Sequence, residues 1–220
     1  LIAAAVETEK LSRVDLYGIG TNLTCFSFIQ ADEEKMERLA EMRKKVENAA
    51  GHTLEIVSGG NSAALDLMMR GGICEGVDNF RLGESLLFGK ERSRYTFLPG
   101  TRNDGFILEC EVVEAKVKPS LPWGTAGVDS YGRKPVFTNR GEKRKKVICA
   151  IGRQDFDAET ATPVDEGILI LGASSDHLML DVTDSVKEYK VGDIVELRLG
   201  YFSVLRAFTS PYVEKIFLKK

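Results

Sequence analysis

The chain has 220 residues, of which 43% are hydrophobic and 29% charged, a composition typical of a folded globular protein rather than a disordered or fibrous one. Its 30 Lys and Arg residues against 33 Asp and Glu residues give a formal net charge of -3, which excludes the basic excess typical of nucleic-acid-binding proteins. The sequence contains no apolar run near the ~20 residues of a membrane span. We therefore expect a cytoplasmic protein that acts on a small molecule, without nucleic acid or membrane as a partner.

The four cysteines are widely spaced, and neither they nor the two histidines form a metal-binding pattern. Zinc sites usually place two ligands a few residues apart, as in a CxxC pair, and no such pair occurs here. We therefore expect no metal and free, mostly buried thiols.

The first 89 residues alternate short apolar runs with helical stretches, the pattern of βα units in a parallel sheet. Strands are predicted at residues 14–19, 54–57 and 80–82. A helix is predicted at 32–50, where apolar residues recur with a period of about 3.6, and it should end at Gly51. Shorter helices are predicted at 63–70 and 85–89.

The polar segment 90–104 breaks this rhythm, and beyond it apolar residues alternate with polar ones, the period of β-strands. Turn signals such as PWG, SYGRKP and VGD recur at short intervals. We therefore predict an α/β plus β architecture. Residues 1–95 would form one domain and residues 96–220 a C-terminal β-domain.

Two consecutive strand-to-helix turns, VSGGNSAA and FRLGES, place glycine and small polar residues at the start of a helix. Exposed amide N–H groups at such turns suit a phosphate group, and glycine allows close approach of the backbone. Alternatively, Ser62 only caps its helix and the glycines only make tight turns. Because two such turns follow one another, the sequence favours phosphate binding about as strongly as this alternative.

Seven segments in register resemble alanine racemases and, more closely, the ornithine-racemase-like branch of that family. They are YGIGTNLTCF, EIVSGGNSAAL, NFRLGESLLFG, VDSYGRKP, GASSDHLMLDV, YKVGDIVEL and YFSVLRAFTSPYVEK. The resemblance covers nearly the whole chain. Each motif alone is weak, but seven in the same order are fairly specific.

The resemblance implies a TIM-type (β/α)8 barrel followed by a C-terminal β-domain, in a homodimer with shared active sites. It also implies the cofactor pyridoxal 5'-phosphate, bound as a Schiff base to a lysine near the first barrel strand. Because the resemblance places Leu1 before the sixth barrel strand, in the tail of a helix, we expect only the last βα units here. The lysine and the remaining N-terminal barrel half, which the chain would need as a partner, would then lie outside it.

The resemblance also assigns cofactor-binding residues. Ser62 would hold the cofactor phosphate with its hydroxyl and amide, and Gly83 and Glu84 would donate backbone amides to it. We expect the Glu84 side chain to point away, since its carboxylate would repel the phosphate. Arg81 would face the pyridine nitrogen, with a surface ion pair as the alternative. Tyr201 would bind the phosphate, or instead pack in the β-domain core.

Asn22 and Asn61 complete the set of predicted cofactor-binding residues. Asn22, like Ser58, occupies a position where alanine racemases tend to have a histidine near the cofactor ring, and Ser175 replaces a methionine. These departures predict a more polar pocket and a larger, more polar substrate than alanine.

Tyr131 in DSYG resembles the tyrosine that the β-domain of one subunit inserts into the other subunit's active site as the second acid or base. A turn aromatic is the alternative. For the substrate we expect contacts from Ser175 and from Asp155 or Asp176, either of which could pair with the side-chain ammonium of ornithine or lysine. Exposed turn aspartates are the alternative for both.

These expectations favour a pyridoxal-phosphate-dependent racemase that interconverts L- and D-amino acids by a two-base mechanism. A decarboxylase of the same fold is a second hypothesis, although such enzymes favour an all-glycine phosphate turn and a glutamate at the ring nitrogen, unlike SGGNS and Arg81 here. A non-catalytic pyridoxal-phosphate-binding protein is a third, although the small single-domain examples lack a β-domain.

Overall fold

In the computed structural model, which describes residues 1–128 and 132–219, three short parallel strands are hydrogen-bonded side by side in the first part of the chain. They are β1 (Gly18–Gly20), β2 (Ile56–Asn61) and β3 (Asn79–Arg81), in the order β1-β2-β3. β1 approaches β2 so closely that a Cβ atom on Gly18 would lie 2.2 Å from the carbonyl oxygen of Ile56. Only glycine fits at that position.

Helices connect and flank these strands: α1 (Ile2–Glu9), α2 (Glu33–Ala50), α3 (Leu65–Met69) and α4 (Glu84–Phe88). The predicted helix at 32–50 is confirmed as α2. Its Asp32 cap accepts a hydrogen bond from the Lys35 amide, and the left-handed Gly51, with φ of 81°, ends it. Its apolar side packs on Leu54 and Val57, which fixes the helix against the sheet.

Three predicted elements of this part differ from the structure. The strand predicted at 54–57 is observed as β2, which extends to Asn61 because Ser58 and Asn61 pair with β3. The strand predicted at 14–19 is shortened to β1, because its regular pairing with β2 begins at Gly18; just before it, the Tyr17 carbonyl oxygen accepts from both the Glu55 and Ile56 amides. The helix predicted at 63–70 is split into a 3-10 turn, Ser62–Ala64, and α3. Its start is shifted because the Asn61 side chain accepts a hydrogen bond from the Ala63 amide, which begins the turn directly after β2.

A six-stranded antiparallel sheet forms most of the second part of the chain, in the order β6-β9-β4-β5-β8-β7. Its elements are β4 (Ile107–Lys118), β5 (Arg144–Cys149), β6 (Ala161–Pro163), β7 (Leu169–Ala173), β8 (Leu178–Asp181) and β9 (Ile194–Leu199), followed by α5 (Tyr201–Thr209). The edge strands β6 and β7 approach each other, as in a nearly closed barrel. The predicted β-domain is therefore confirmed.

Two units with separate hydrophobic cores result, Leu1–Asn103 and Asp104–Lys220. Their division falls at the end of the polar segment 90–104, so the predicted domain boundary after residue 95 lies inside the first unit. In the described part of the chain, no helix is both long and apolar enough to cross a membrane.

A buried carboxylate at the end of β8 ties two strands of the second unit together. Asp181 is 1% exposed, and it accepts hydrogen bonds from Arg144 Nε at 2.8 Å and from Thr183 Oγ1 at 2.6 Å. Burial opposes its charged form, but the hydrogen bonds from Arg144 and Thr183 together hold the pKa of Asp181 below its usual value. Arg144 also pairs with the exposed Asp184 at 2.6 Å.

We expect Asp181→Ala to destabilise the second unit by about 3 kcal/mol, since it leaves Arg144 half-paired at a nearly buried position. Native-state hydrogen exchange of the β5 and β8 amides in the full-length protein measures this. Asp184→Ala, which removes the exposed partner of the same arginine, should cost under about 1 kcal/mol.

Because the pKa of Asp181 is lowered on folding, the contribution of this carboxylate to the free energy of unfolding is complete above about pH 4 and is lost as the pH falls further. Equal effects of the two variants would contradict this account.

Candidate functional site

Polar residues follow each of the three parallel strands, at the edge of the sheet where the strands end. Thr21 and Asn22 follow β1, Ser62 follows β2, and Gly83 closely follows β3. Because the carboxyl ends of parallel strands meet at one edge, the fold brings these three turns together. Ligands of such sheets characteristically bind there.

Arg81, the last residue of β3, connects all three strands at this edge. Its Nη2 donates to the carbonyl oxygen of Thr21 at 2.9 Å, and its Nη1 donates to the hydroxyl of Ser58 in β2. Gly20 lies beside this contact, where a Cβ atom would be 3.0 Å from Ser58 Cβ and 3.4 Å from Arg81 Nη1. A guanidinium stays protonated at physiological pH, so Arg81 places a fixed positive charge at the ends of the strands.

Asn61 brings the turns after β1 and β2 into contact. Its Nδ2 donates to Asn22 Oδ1 at 2.6 Å and to the carbonyl oxygen of Leu23 at 3.2 Å, while its Oδ1 accepts from the Ala63 amide at 2.8 Å. The predicted residues Asn22 and Asn61 are thus hydrogen-bonded partners.

The hydroxyl of Ser62 lies where several donors of the next turn converge. The amides of Gly83 and Ser85 donate to Ser62 Oγ at 3.2 and 3.3 Å, and Ser85 Oγ lies 3.1 Å from the same atom. A hydroxyl oxygen has two lone pairs, so these donors outnumber the acceptor sites that it offers. Ser62 is only 5% exposed, so water has little access to accept a hydrogen bond from the surplus donor.

The Glu84 amide adds a further donor, because no hydrogen bond from it is found among residues 1–128 and 132–219. Gly83 is exposed, and a Cβ atom on it would meet nothing within 4 Å, so its backbone is open to approach. The turn therefore has an excess of donors and free space beside it. Both properties suit an anion such as a phosphate group.

The Glu84 carboxylate is bound by residues of the segment that follows α4. Arg92 Nε lies 3.2 Å from Glu84 Oε2, and the Tyr95 hydroxyl donates to Oε1 at 3.4 Å. The side chain of Glu84 is 13% exposed. Its negative charge is therefore neutralised within the first unit.

Tyr201 is the first residue of α5 and is 41% exposed in the second unit. Its ring packs edge-on against Phe202, with the centroids 5.4 Å apart. The alternative that Tyr201 belongs to the β-domain core is therefore wrong.

The predicted catalytic residue, Tyr131, lies outside the described residues.

The two predicted substrate-binding aspartates lie in different environments. Asp155 is 4% exposed and accepts a hydrogen bond from Ser210 Oγ at 2.6 Å, so it is not an exposed turn residue. That burial fits a structural role. Asp176 and Ser175 lie in the exposed turn between β7 and β8, where Ser175 Oγ donates to Asp176 Oδ1 at 2.9 Å. This hydrogen bond and the nearby His177 keep the pKa of Asp176 below its usual value, so it is charged at neutral pH.

The described residues contain no group of three or more His, Cys, Asp or Glu side chains that could hold a metal ion. The donors of this site, amides and a guanidinium, also differ from metal ligands, which supply lone pairs.

Comparison with known proteins shows that the chain is similar in sequence to two amino acid racemases. It is 45% identical to an ornithine racemase of Acetoanaerobium sticklandii over 95% of the chain, and 42% identical to a lysine racemase of Thermotoga maritima over 97%. The chain belongs to the alanine racemase-like family. No protein-family model matches the chain. The chain spans 59% of the length of the ornithine racemase and 60% of that of the lysine racemase.

Solved alanine racemases share the fold of this family member. The enzyme of Clostridium difficile, in complex with cycloserine, aligns over 94% of this chain and 54% of its own, with a TM-score of 0.57 and 21% identity. The enzyme of Bartonella henselae, which contains covalently bound pyridoxal phosphate, aligns over 89% and 51%, with a TM-score of 0.54 and 18% identity.

Several contacts in this racemase-like chain are not evident from its sequence. Ser85 follows the LGE turn directly, and a small polar residue at a helix start could have indicated its contact with Ser62. No periodicity or motif connects Arg92 and Tyr95 with Glu84, because the contact joins the start of α4 to the irregular segment that follows it. The same holds for the bond between Arg81 and Ser58, which are 23 positions apart in the chain.

Proposed function

We propose that this chain forms part of a pyridoxal-phosphate-dependent amino acid racemase. One observation carries the proposal: Arg81 and the donor-rich turn of Ser62, Gly83 and Glu84 lie at one sheet edge, in a chain 45% identical to an ornithine racemase. In the full-length protein these strands would be the last βα units of a (β/α)8 barrel, and the antiparallel unit its C-terminal β-domain.

The residues at this edge fit pyridoxal phosphate. Its phosphate would accept hydrogen bonds from the Ser62 hydroxyl, from the Gly83 amide that is directed at Ser62 Oγ, and from the Glu84 amide, which has no partner among residues 1–128 and 132–219. The resemblance to alanine racemases also assigns Tyr201 to binding of the cofactor phosphate. Asn22 and Asn61 would line the same side, where their mutual hydrogen bond fixes both side chains. Bound there, the cofactor would withdraw electrons from the α-carbon of an amino acid and acidify its α-proton.

Arg81 would tune this electron withdrawal. Because a guanidinium keeps its protons, Arg81 can donate a hydrogen bond to the pyridine nitrogen but does not protonate it. Its contacts with Thr21 and Ser58 hold it in one place at the strand ends. A weaker electron sink favours return of a proton to the α-carbon over transamination or loss of the carboxylate. This distinguishes the racemase from the decarboxylase hypothesis.

Tyr131 would serve one face of the substrate, with its phenol oxygen removing or returning the α-proton, and a lysine outside this chain would serve the other. The assignment rests on the DSYG motif. It implies a homodimer in which the β-domain of one subunit completes the site of the other.

Ornithine or lysine is the substrate class that we propose. Such a substrate carries a second ammonium group, which requires a carboxylate in its pocket. Asp176, charged and at the surface of the second unit, offers one beside the polar Ser175. Asp155, the other predicted residue, is buried against Ser210, which favours a structural role for it instead.

The direct test is loss of optical rotation from L-ornithine, L-lysine and L-alanine, incubated with the full-length protein and pyridoxal phosphate. We expect racemisation of at least one basic amino acid, with alanine a poorer substrate. Release of carbon dioxide without racemisation would favour the decarboxylase hypothesis. If the protein binds the cofactor but converts none of these amino acids, the racemase proposal is wrong.

Substrate selection is tested by Asp176→Asn, with Asp155→Asn as the matched variant. Loss of a charge partner for the substrate ammonium should lower kcat/KM for ornithine or lysine by about tenfold, with little change for alanine. We expect Asp155→Asn to leave the substrate preference unchanged, because asparagine can still accept the hydrogen bond from Ser210. An unchanged preference in Asp176→Asn would contradict the role of this residue.

A further inference from the structure

A short hairpin, residues 89–98, follows α4 and is braced by a buried carboxylate. The Leu98 amide donates to the Gly89 carbonyl oxygen at 2.8 Å, and the Glu91 amide donates to that of Thr96 at 2.9 Å. The Glu91 side chain is buried and accepts hydrogen bonds from the amides of Ser93 and Arg94. These bonds fix the backbone at the tip of the hairpin.

Two side chains of this 89–98 hairpin bind one carboxylate, each at a different oxygen. Arg92 Nε lies 3.2 Å from Glu84 Oε2, and the Tyr95 hydroxyl lies 3.4 Å from Glu84 Oε1. The Arg92 guanidinium also stacks over the Tyr95 ring, 5.1 Å from its centroid. Burial, followed by the charge of Glu84, raises the pKa of Tyr95, so its hydroxyl remains a donor at neutral pH.

Glu84 presents an electrostatic problem for the proposed phosphate site. Its backbone amide is an unpaired donor of the turn, yet its own side chain carries a negative charge within the same residue. An uncompensated carboxylate there would repel a phosphate dianion, and the low exposure of the side chain limits screening by water. The carboxylate therefore needs a fixed counter-charge.

We propose that Arg92 is a positioning residue for the phosphate site, which holds and neutralises the Glu84 carboxylate so that the turn accepts a phosphorylated cofactor. The inference rests on the proposed function, since it concerns the same site. It gives the 89–98 hairpin a role in selecting pyridoxal phosphate over pyridoxal, which has no phosphate.

The test is Arg92→Gln in the full-length protein, with dissociation constants for pyridoxal phosphate and for pyridoxal measured by absorbance titration. We expect binding of pyridoxal phosphate to weaken about fivefold through repulsion by Glu84, and binding of pyridoxal to stay unchanged. Arg94→Gln is the matched control, because Arg94 belongs to the same hairpin but pairs with Asp66 of α3 at 3.3 Å. It should change neither constant.

Removing the charge of Glu84 should reverse the effect. In the double variant Arg92→Gln with Glu84→Gln, we expect affinity for pyridoxal phosphate to return to within about twofold of the original, because no repulsion remains. Arg92→Lys, which retains the charge, should keep most of the affinity. If Arg92→Gln lowers the unfolding temperature of the cofactor-free protein, Arg92→Lys is the variant whose affinity for pyridoxal phosphate decides whether the charge at position 92 matters.

The outcomes separate the two proposals. If the unmodified protein does not bind pyridoxal phosphate, the proposed function fails, and this inference fails with it. If the unmodified protein binds the cofactor and Arg92→Gln binds it equally well, only the inference is wrong. Equal weakening for pyridoxal phosphate and pyridoxal would also overturn it, since that result indicates a structural role for Arg92.

Discussion

The convergence of hydrogen-bond donors on the Ser62 hydroxyl is the interaction on which the candidate site depends. It joins the turn after β2 to the turn after β3 and holds the Gly83 and Ser85 amides toward one point. Because three donors meet one hydroxyl oxygen with two lone pairs, the turn has more hydrogen-bond donors than acceptors and suits an anion better than a neutral group. Arg81 adds a positive charge at the same sheet edge, and the Asn22–Asn61 bond fixes the neighbouring turn.

The parts of the first unit that could be predicted are those with local signals. The helix α2 has an apolar period, a capping aspartate and a left-handed glycine, and each is visible in the sequence. The three-residue strands β1 and β3 are too short for a period to define their ends. Close approach of backbones, as at Gly18 beside Ile56, depends on which strands are neighbours, and no local pattern contains that information.

The candidate site shows the same limit. Ser62 and Gly83 follow predicted strands, so their meeting at one edge follows from parallel topology. The ion pair of Glu84 with Arg92 joins the start of α4 to the 89–98 hairpin, and nothing in the sequence between them indicates it. Burial of Asp155 against Ser210 could not be predicted from the sequence either, because the two residues are 55 positions apart. Local reasoning thus predicted the two turns as a phosphate site, but not the contacts that neutralise the Glu84 carboxylate.

The central claim, that the Ser62–Gly83–Glu84 turn binds the cofactor phosphate, is tested most directly by amide hydrogen–deuterium exchange in the full-length protein. Exchange at residues 83–85 should slow when pyridoxal phosphate binds, because the amides then donate to phosphate oxygens, and should slow much less with pyridoxal. Unchanged exchange at these amides in a protein that demonstrably binds pyridoxal phosphate would contradict the account.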